Sequence, residues 1–465
     1  MKLQLKLSTK QKHSSKNSKK YQMLAQSRKQ QNINSKNFLK TLFLSTTIPQ
    51  NKLQVFLLGV LCALFFSAFI YLEHFLERFN LPIFSTLCAL AGIFLYFKLS
   101  RFGALICGAL IGILWFYWVG FSFKFYDLTS FIPLLWAVFA LCYGGLFYLF
   151  CFFQNPIYRI VTLTLSSFVH PFGFNWFILE SMLTKSYFFP SKFTLFLLLI
   201  GVLIFSLSLT RQLYKTSVLW LAGFCLLLAF SHSNFDVKTK SQQDSKLKIK
   251  TLSLNIPQNI RWDSKYLNFI IEQNLQQITQ AKAQNYDLII LPETAFPFAL
   301  NLQPHLIESL KATSQEIAIL TGAVYQENNR IFNSAYLFQN GEMRVLHKQI
   351  LVPFGEQIPL PRFFAKWINQ TFFQGASDFN FTEFQAPNSA LIKGMRFQIA
   401  ICYEATREEF YQDFPKYLIA LSNNAWFVPS IEPTLQRLLM LYFAKNYGTT
   451  IFHSSNASPD FKLTP

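Results

Sequence analysis

Charged residues are scarce in this chain: they fill 14% of its 465 positions, against roughly 25% in soluble globular proteins. That shortage argues against an ordinary soluble enzyme. Acidic residues are missing altogether from the first 52 positions, which hold 12 Lys or Arg among Ser, Gln and Asn. Glycine is sparse, 17 residues against 54 Phe, which excludes collagen-like, low-complexity and wholly disordered chains. Cysteine is nearly absent from the second half, where Cys402 stands alone, so that half can form no internal disulfide. No internal repeat of fixed period is visible. No set of residues has metal-ligand spacing, His347 included, so no cofactor is expected.

The net charge of +19 suggests a nucleic-acid binder until the charges are located. The imbalance is +12 over residues 1–52, +5 over 53–232 and +2 over 233–465. The last half is nearly neutral, so no basic footprint spreads over a folded surface and no nucleic-acid partner is expected. Residues 1–52, with Lys16, Lys19, Lys20, Arg28 and Lys29, lack the apolar density for a core and read as a disordered cytoplasmic tail.

What the chain has in abundance is long uncharged runs. Runs of 20, 19, 22, 31, 20, 18 and 20 residues follow Lys52, Arg78, Arg101, Asp127, Arg159, Lys192 and Lys215. Each is long enough to cross a hydrocarbon core of about 30 Å, which predicts a helical membrane domain of about seven spans over residues 53–235. The fifth is interrupted at His170-Pro171 and reads as a broken or re-entrant helix. With the tail inside, the inner loops hold Lys98, Arg101, Arg159, Arg211 and Lys215 and no acid, as the positive-inside rule requires. An odd number of spans then carries residues 236–465 to the outer side, the periplasm in a Gram-negative cell. Six cysteines lie inside the apolar runs and read as small packing residues.

After a linker at Lys238–Lys250, strand and helix periods alternate. Strands are expected at 247–256, 287–291, 317–324, 331–338, 394–401, 417–421 and 449–453, with helices at 265–283 and 433–447, an α/β pattern with mixed sheets. Three polar residues stand at strand ends, where α/β folds place their chemistry. Glu293 follows Asp287-Leu-Ile-Ile-Leu-Pro, where partial burial suits a carboxylate to general-base work. Lys348 precedes Leu351-Val-Pro-Phe-Gly-Glu356; an ammonium there could stabilise a developing oxyanion, and Glu356 could hold it. Cys402 follows Phe397-Gln-Ile-Ala-Ile, a candidate nucleophile at a strand-to-helix turn.

Leu291-Pro-Glu293-Thr-Ala-Phe-Pro, Lys348 with Val352-Pro-Phe-Gly-Glu356-Gln-Ile-Pro, and Cys402-Tyr403-Glu404 resemble, in order, the three motifs of the nitrilase (carbon-nitrogen hydrolase) superfamily. Gly112-Ile-Leu-Trp115-Phe-Tyr-Trp118 and Leu421-Ser-Asn423-Asn424-Ala-Trp426-Phe are similar to its membrane branch, the apolipoprotein N-acyltransferases. The resemblance covers about residues 53–458 and implies an α-β-β-α sandwich carried on a transmembrane bundle in the bacterial inner membrane. It implies transfer of a fatty acyl group from a phospholipid donor to the α-amine of the diacylglyceryl-cysteine of an apolipoprotein, by ping-pong through a thioester.

Carried over residue by residue, Glu293 is the general base, Lys348 the oxyanion partner and Cys402 the nucleophile. Glu356, Tyr403 and Glu404 shape the site, and Trp262 and Trp426 contact substrate. Eight aromatics between Leu360 and Phe384, among them Trp367 and Phe372, read as an arm at the bilayer interface.

The chain departs from the pattern in three places. No apolar run follows the last strand, where family members commonly have a further span. Asn456-Ala457 replaces the usual Asn-Gly, and Thr449-Thr-Ile-Phe-His453 lacks the basic residues often found there. A membrane-tethered amidase would use the same three residues with water resolving the thioester. A catalytically silent lipid-binding scaffold would keep the fold without the chemistry.

Overall fold

The computed structural model describes residues 51–79, 81–210, 223, 247–328, 330–353, 356 and 384–465, the side chains of 78, 172 and 207–210 excepted. The basic tail, the seventh apolar run, most of the linker and all of the aromatic stretch before Phe384 lie outside these residues.

The membrane half comprises α1 (Lys52–Leu76), α2 (Pro82–Tyr96), α3 (Arg101–Phe116), α4 (Ile132–Phe150), α5 (Pro156–Leu165) and α6 (Lys192–Thr210). Local chemistry sets their starts. Asn51 caps α1 by accepting from Gln54 N (2.8 Å) while Gln54 Oε1 accepts from Asn51 N (3.2 Å), a reciprocal box. Ser100 caps α3 by accepting from Gly103 N (3.2 Å). Proline stands at the first position of α2 and α5, where no N–H is needed.

Among the described residues three helical stretches are long and apolar enough to cross a membrane: Lys52–Leu76, Arg101–Phe125 and Thr129–Phe150. Pro82–Tyr96 and Lys192–Ser206 are shorter apolar helices. The fifth run is helical only to Leu165; beyond it come short 3-10 turns at Ser166–Phe168, Pro171–Gly173 and Leu179–Leu183. α3 and α4 approach closely because Gly108 and Gly112 face them: a Cβ there would lie 2.2 Å from Tyr143 O and 2.5 Å from Phe139 O.

The second half is built from two six-stranded sheets. The first runs β1 (Ile249–Thr251), β3 (Leu288–Ile290), β5 (Ala318–Glu327), β6 (Arg330–Gln339), β7 (Glu342–His347), with β4 (Phe296–Ala299) also pairing β5. The second runs β12 (Phe461–Leu463), β11 (Thr450–Asn456), β10 (Tyr417–Asn423), β9 (Met395–Ile401), β8 (Ser389–Ile392), with β2 (Ser253–Leu254) on β11.

Period-two alternation divides each strand between two layers. Leu288, Ile290 and Leu320 meet Phe397, Ile399 and Ile419 between the sheets. Ile289, Leu291 and Ile319 pack outward with residues of α7 (Leu267–Ala283) and α8 (Pro304–Thr313). Ala400, Leu418 and Ile451 pack on the other side with α9 (Glu432–Tyr447), in one apolar cluster with the membrane half. The result is the expected α-β-β-α sandwich. The expected strand at 247–256 is split into β1, on the first sheet, and β2, on the second, while β4, β7, β8 and β12 are short strands that were not expected.

Candidate active site

Parallel pairing of β3 with β5, and of β10 with both β9 and β11, brings the C-terminal ends of these strands to one edge of the sandwich. Glu293 lies just beyond β3, Lys348 directly after β7 and Cys402 directly after β9. The three expected residues are therefore brought together.

Lys348 is fully buried and sits between two carboxylates. Its Nζ lies 3.7 Å from Glu293 Oε1 and 2.7 Å from Glu356 Oε2. Burial alone would lower this ammonium, but Glu356 and Glu293 overcome it and hold Lys348 charged above its ordinary range. Burial pushes Glu293 up from the usual carboxylate range, against Lys348, which pulls it down. Burial also raises the Cys402 thiol well above its ordinary value; the Glu293 and Glu356 carboxylates add to this and Lys348 opposes it. Burial thus favours the neutral thiol and also raises the proton affinity of the Glu293 carboxylate.

The backbone is tensioned around both groups. Cys402 has φ +56° and Thr294 φ +45°, left-handed values that non-glycine residues adopt at a cost. A sharp turn at Cys402 ends β9 and starts the 3-10 turn Cys402–Thr406, which presents the thiol at the strand's end. Glu404, fully buried, stabilises that turn: its Oε2 accepts from Ile401 N (2.8 Å), and its Oε1 accepts from Gln349 N (2.6 Å) and Ile350 N (3.0 Å). Burial lifts its carboxyl to about 7, with these backbone N–H groups pulling the other way.

Two residues that sequence reasoning missed complete the frame. The Asn333 amide donates to Glu293 Oε1 (2.7 Å) and Glu356 Oε1 (3.3 Å), and Asn333 O accepts from Lys348 N (2.8 Å). Asn333 lies in β6 between Phe332 and Ser334, and nothing in the sequence spacing set it apart. Arg261, also buried, donates from Nη2 to Glu293 O (2.6 Å) and from Nε to Thr294 O (3.1 Å), fixing the strained loop. Its neighbour Trp262 is 46% exposed.

The remaining expected residues sit at the seam with the membrane half. Tyr403 points away from the thiol: its hydroxyl donates to Asn175 Oδ1 (2.8 Å) and accepts from Asn175 N (3.1 Å), and its ring stacks on Phe174 at 6.0 Å. Trp176 Nε1 donates to Thr406 Oγ1 (2.7 Å). Trp426 stacks on Tyr126 (5.9 Å, 9°) and meets Phe125 edge-on (5.3 Å, 90°) at the end of the Arg101–Phe125 stretch.

A buried Lys348 and Glu293 and a half-buried Cys402 at the strand ends of an α-β-β-α sandwich, joined to a helical half with three membrane-length stretches, define a membrane protein with a candidate thiol site. Residues 53–228 match the family model described as the apolipoprotein N-acyltransferase integral membrane domain. The apolipoprotein N-acyltransferase of Wolinella succinogenes is 41% identical over 405 residues, 87% of this chain and 94% of that one. That of Helicobacter pylori is 37% identical, covering 80% of this chain and 85% of the relative. Among solved structures, a mutant amidase from the nitrilase superfamily of Nesterenkonia AN1 aligns over 48% of this chain and 86% of that one, at 13% identity and TM-score 0.35. The chain belongs to the apolipoprotein N-acyltransferase family.

Proposed function

We propose that this protein transfers a fatty acyl group from a membrane phospholipid to the N-terminal α-amine of the diacylglyceryl-cysteine of apolipoproteins, by a ping-pong route through a thioester on Cys402. The observation that carries the reading is the convergence of Glu293, Lys348 and Cys402 at one strand-end site in a chain of this family.

Glu293 removes the thiol proton as sulfur attacks the phospholipid ester carbon. The Lys348 ammonium faces the oxyanion that forms. Collapse breaks the ester C–O bond, and Glu293 returns the proton to the departing lysophospholipid oxygen, leaving the thioester. In the second half the amine nitrogen attacks the thioester carbon and loses a proton to Glu293. The C–S bond breaks and the thiolate recovers that proton, so the amide leaves and the enzyme is restored.

In this reading residues 1–52 are a cytoplasmic tail, 53–235 a seven-span membrane domain, and 236–465 the catalytic domain in the periplasm of a bacterium with an inner membrane. The packing of Trp426 on Tyr126 supports a lipid path at the seam between the halves. Trp262, half exposed near Arg261, is assigned to the same path.

Intact mass spectrometry of the full chain in detergent, incubated with phospholipid, tests the proposal. The expected result is a hydroxylamine-labile gain of one acyl chain, absent in Cys402→Ala and discharged onto a diacylglyceryl-cysteine peptide. Turnover of small amides with no acyl adduct would replace this reading by an amidase. A folded protein with neither activity would leave a lipid-binding scaffold.

A further inference from the structure

One buried carboxyl beside the site has no part in the chemistry above. Glu432 opens α9, is 1% exposed, and among the described residues its Oε2 has no hydrogen-bond partner. A lone carboxylate taken out of water is costly, and a cation is the partner that makes it favourable. The position of Glu432 selects which cation. α9 packs against both the Cys402–Thr406 turn and α1. The loop before it is seated on the membrane half: Phe427 meets Trp118 edge-on at 4.8 Å, and Ile431 N donates to Tyr117 Oη (3.3 Å). Glu432 also lies within electrostatic reach of both Cys402 and Glu293. It therefore stands where a chain held in the bilayer would arrive at the thioester.

We infer that Glu432 is the docking residue for the α-ammonium of the acceptor, holding it as an ion pair next to the acylated Cys402. This rests on the acyltransferase reading and adds to it a group specific to the second half-reaction. The reasoning is chemical. An α-amine with a pKa of about 7.7–8.0 arrives mostly protonated near neutral pH. An anionic phospholipid donor such as phosphatidylglycerol brings a phosphate and no ammonium, and a carboxylate would repel it.

Burial raises the Glu432 carboxyl well above its ordinary range, with Glu293 adding to this, and so favours the neutral acid in the empty site. Entry of the ammonium releases the carboxyl proton to solvent and forms the pair. One ammonium proton then passes to Glu432, leaving the free amine that attacks. The net change is loss of one proton from the ammonium, and Glu432 ends as it began.

The test separates the two half-reactions. Wild type and Glu432→Gln are acylated in phosphatidylglycerol vesicles, whose headgroup carries no ammonium, and the thioester is then discharged by a synthetic diacylglyceryl-cysteine peptide or by neutral hydroxylamine. We expect Glu432→Gln to form the thioester and to lose it to hydroxylamine at the wild-type rate. Its KM for the peptide should rise roughly ten- to hundredfold, the loss of one hydrogen bond to a charged group, with partial recovery in Glu432→Asp. Peptide discharge at the wild-type KM, or equal losses with peptide and hydroxylamine, would overturn the assignment. Absence of any thioester in the wild type would instead overturn the acyltransferase reading itself.

Discussion

The backbone N–H of Gln349 donates to Glu404 Oε1 at 2.6 Å. Gln349 follows Lys348 and Glu404 lies two residues beyond Cys402, so one carboxylate ties the segment bearing the proposed oxyanion partner to the turn bearing the proposed nucleophile. Both segments come from separate sheets, and no regular strand pairing would otherwise fix their spacing.

Glu404→Gln should therefore fold and fail. The amide nitrogen cannot accept, so at least one backbone N–H of Ile401, Gln349 or Ile350 is left unpaired, at about 1–3 kcal/mol. The relative displacement of Lys348 and Cys402 is expected to slow thioester formation by about 10²-fold. Burst-phase acylation and thermal unfolding of the same sample check both numbers.

The charge arrangement sets a pH limb. Glu293 must be ionised to act as base, and its folded pKa is raised by burial. Acylation is therefore lost as pH falls through a value above the ordinary carboxylate range. Lys348 opposes that rise, so Lys348→Met should move the limb to still higher pH and lower the plateau about 10²–10³-fold. A limb that stays in place in the variant would show that another group is being titrated.

Gly322, in β5, carries a prediction for a residue that touches no substrate. A Cβ there would lie 2.5 Å from Thr294 N, 2.6 Å from Glu293 Cα and 2.7 Å from Pro292 O, all of them backbone. None can rotate away, so Gly322→Ala should push the Glu293 loop off its position. The expected cost is roughly 1–3 kcal/mol of stability and about 10²-fold in acylation, measured by denaturation and single-turnover kinetics.

Ala457 stands in the left-handed region, with φ +63°. A left-handed alanine costs roughly 1–2 kcal/mol, partly offset by the greater unfolded-state freedom of glycine. Ala457→Gly should stabilise the fold by up to about 1 kcal/mol without altering acylation. Unchanged denaturation midpoints would show that the turn relaxes at no cost.

Sequence periodicity located the long strands and the two long helices of the catalytic half because each buries one face, and burial imposes its period. The strand ends holding Glu293, Lys348 and Cys402 were legible for the same reason. Asn333 and Arg261 were not, because they act by reaching across from neighbouring elements, and sequence spacing carries no trace of such contacts. Tyr403 was expected to shape the site, but the contacts of its hydroxyl were not legible, since its partner Asn175 is 228 positions away. Counting charge-free runs found the apolar stretches yet gave no helix lengths: the fifth run breaks after Leu165, and α2 has only 15 residues.

The hydroxyl of Tyr403, next in line to the nucleophile, is answered entirely by residues 173–175 and Arg407. The catalytic half is consequently not a portable module. Cutting the chain at the linker would remove the acceptor and donor on which that tyrosine closes, and would expose the faces of Thr406 and α9 that pack on the bundle. A water-soluble fragment would keep all three reactive side chains but lose the scaffold behind one of them.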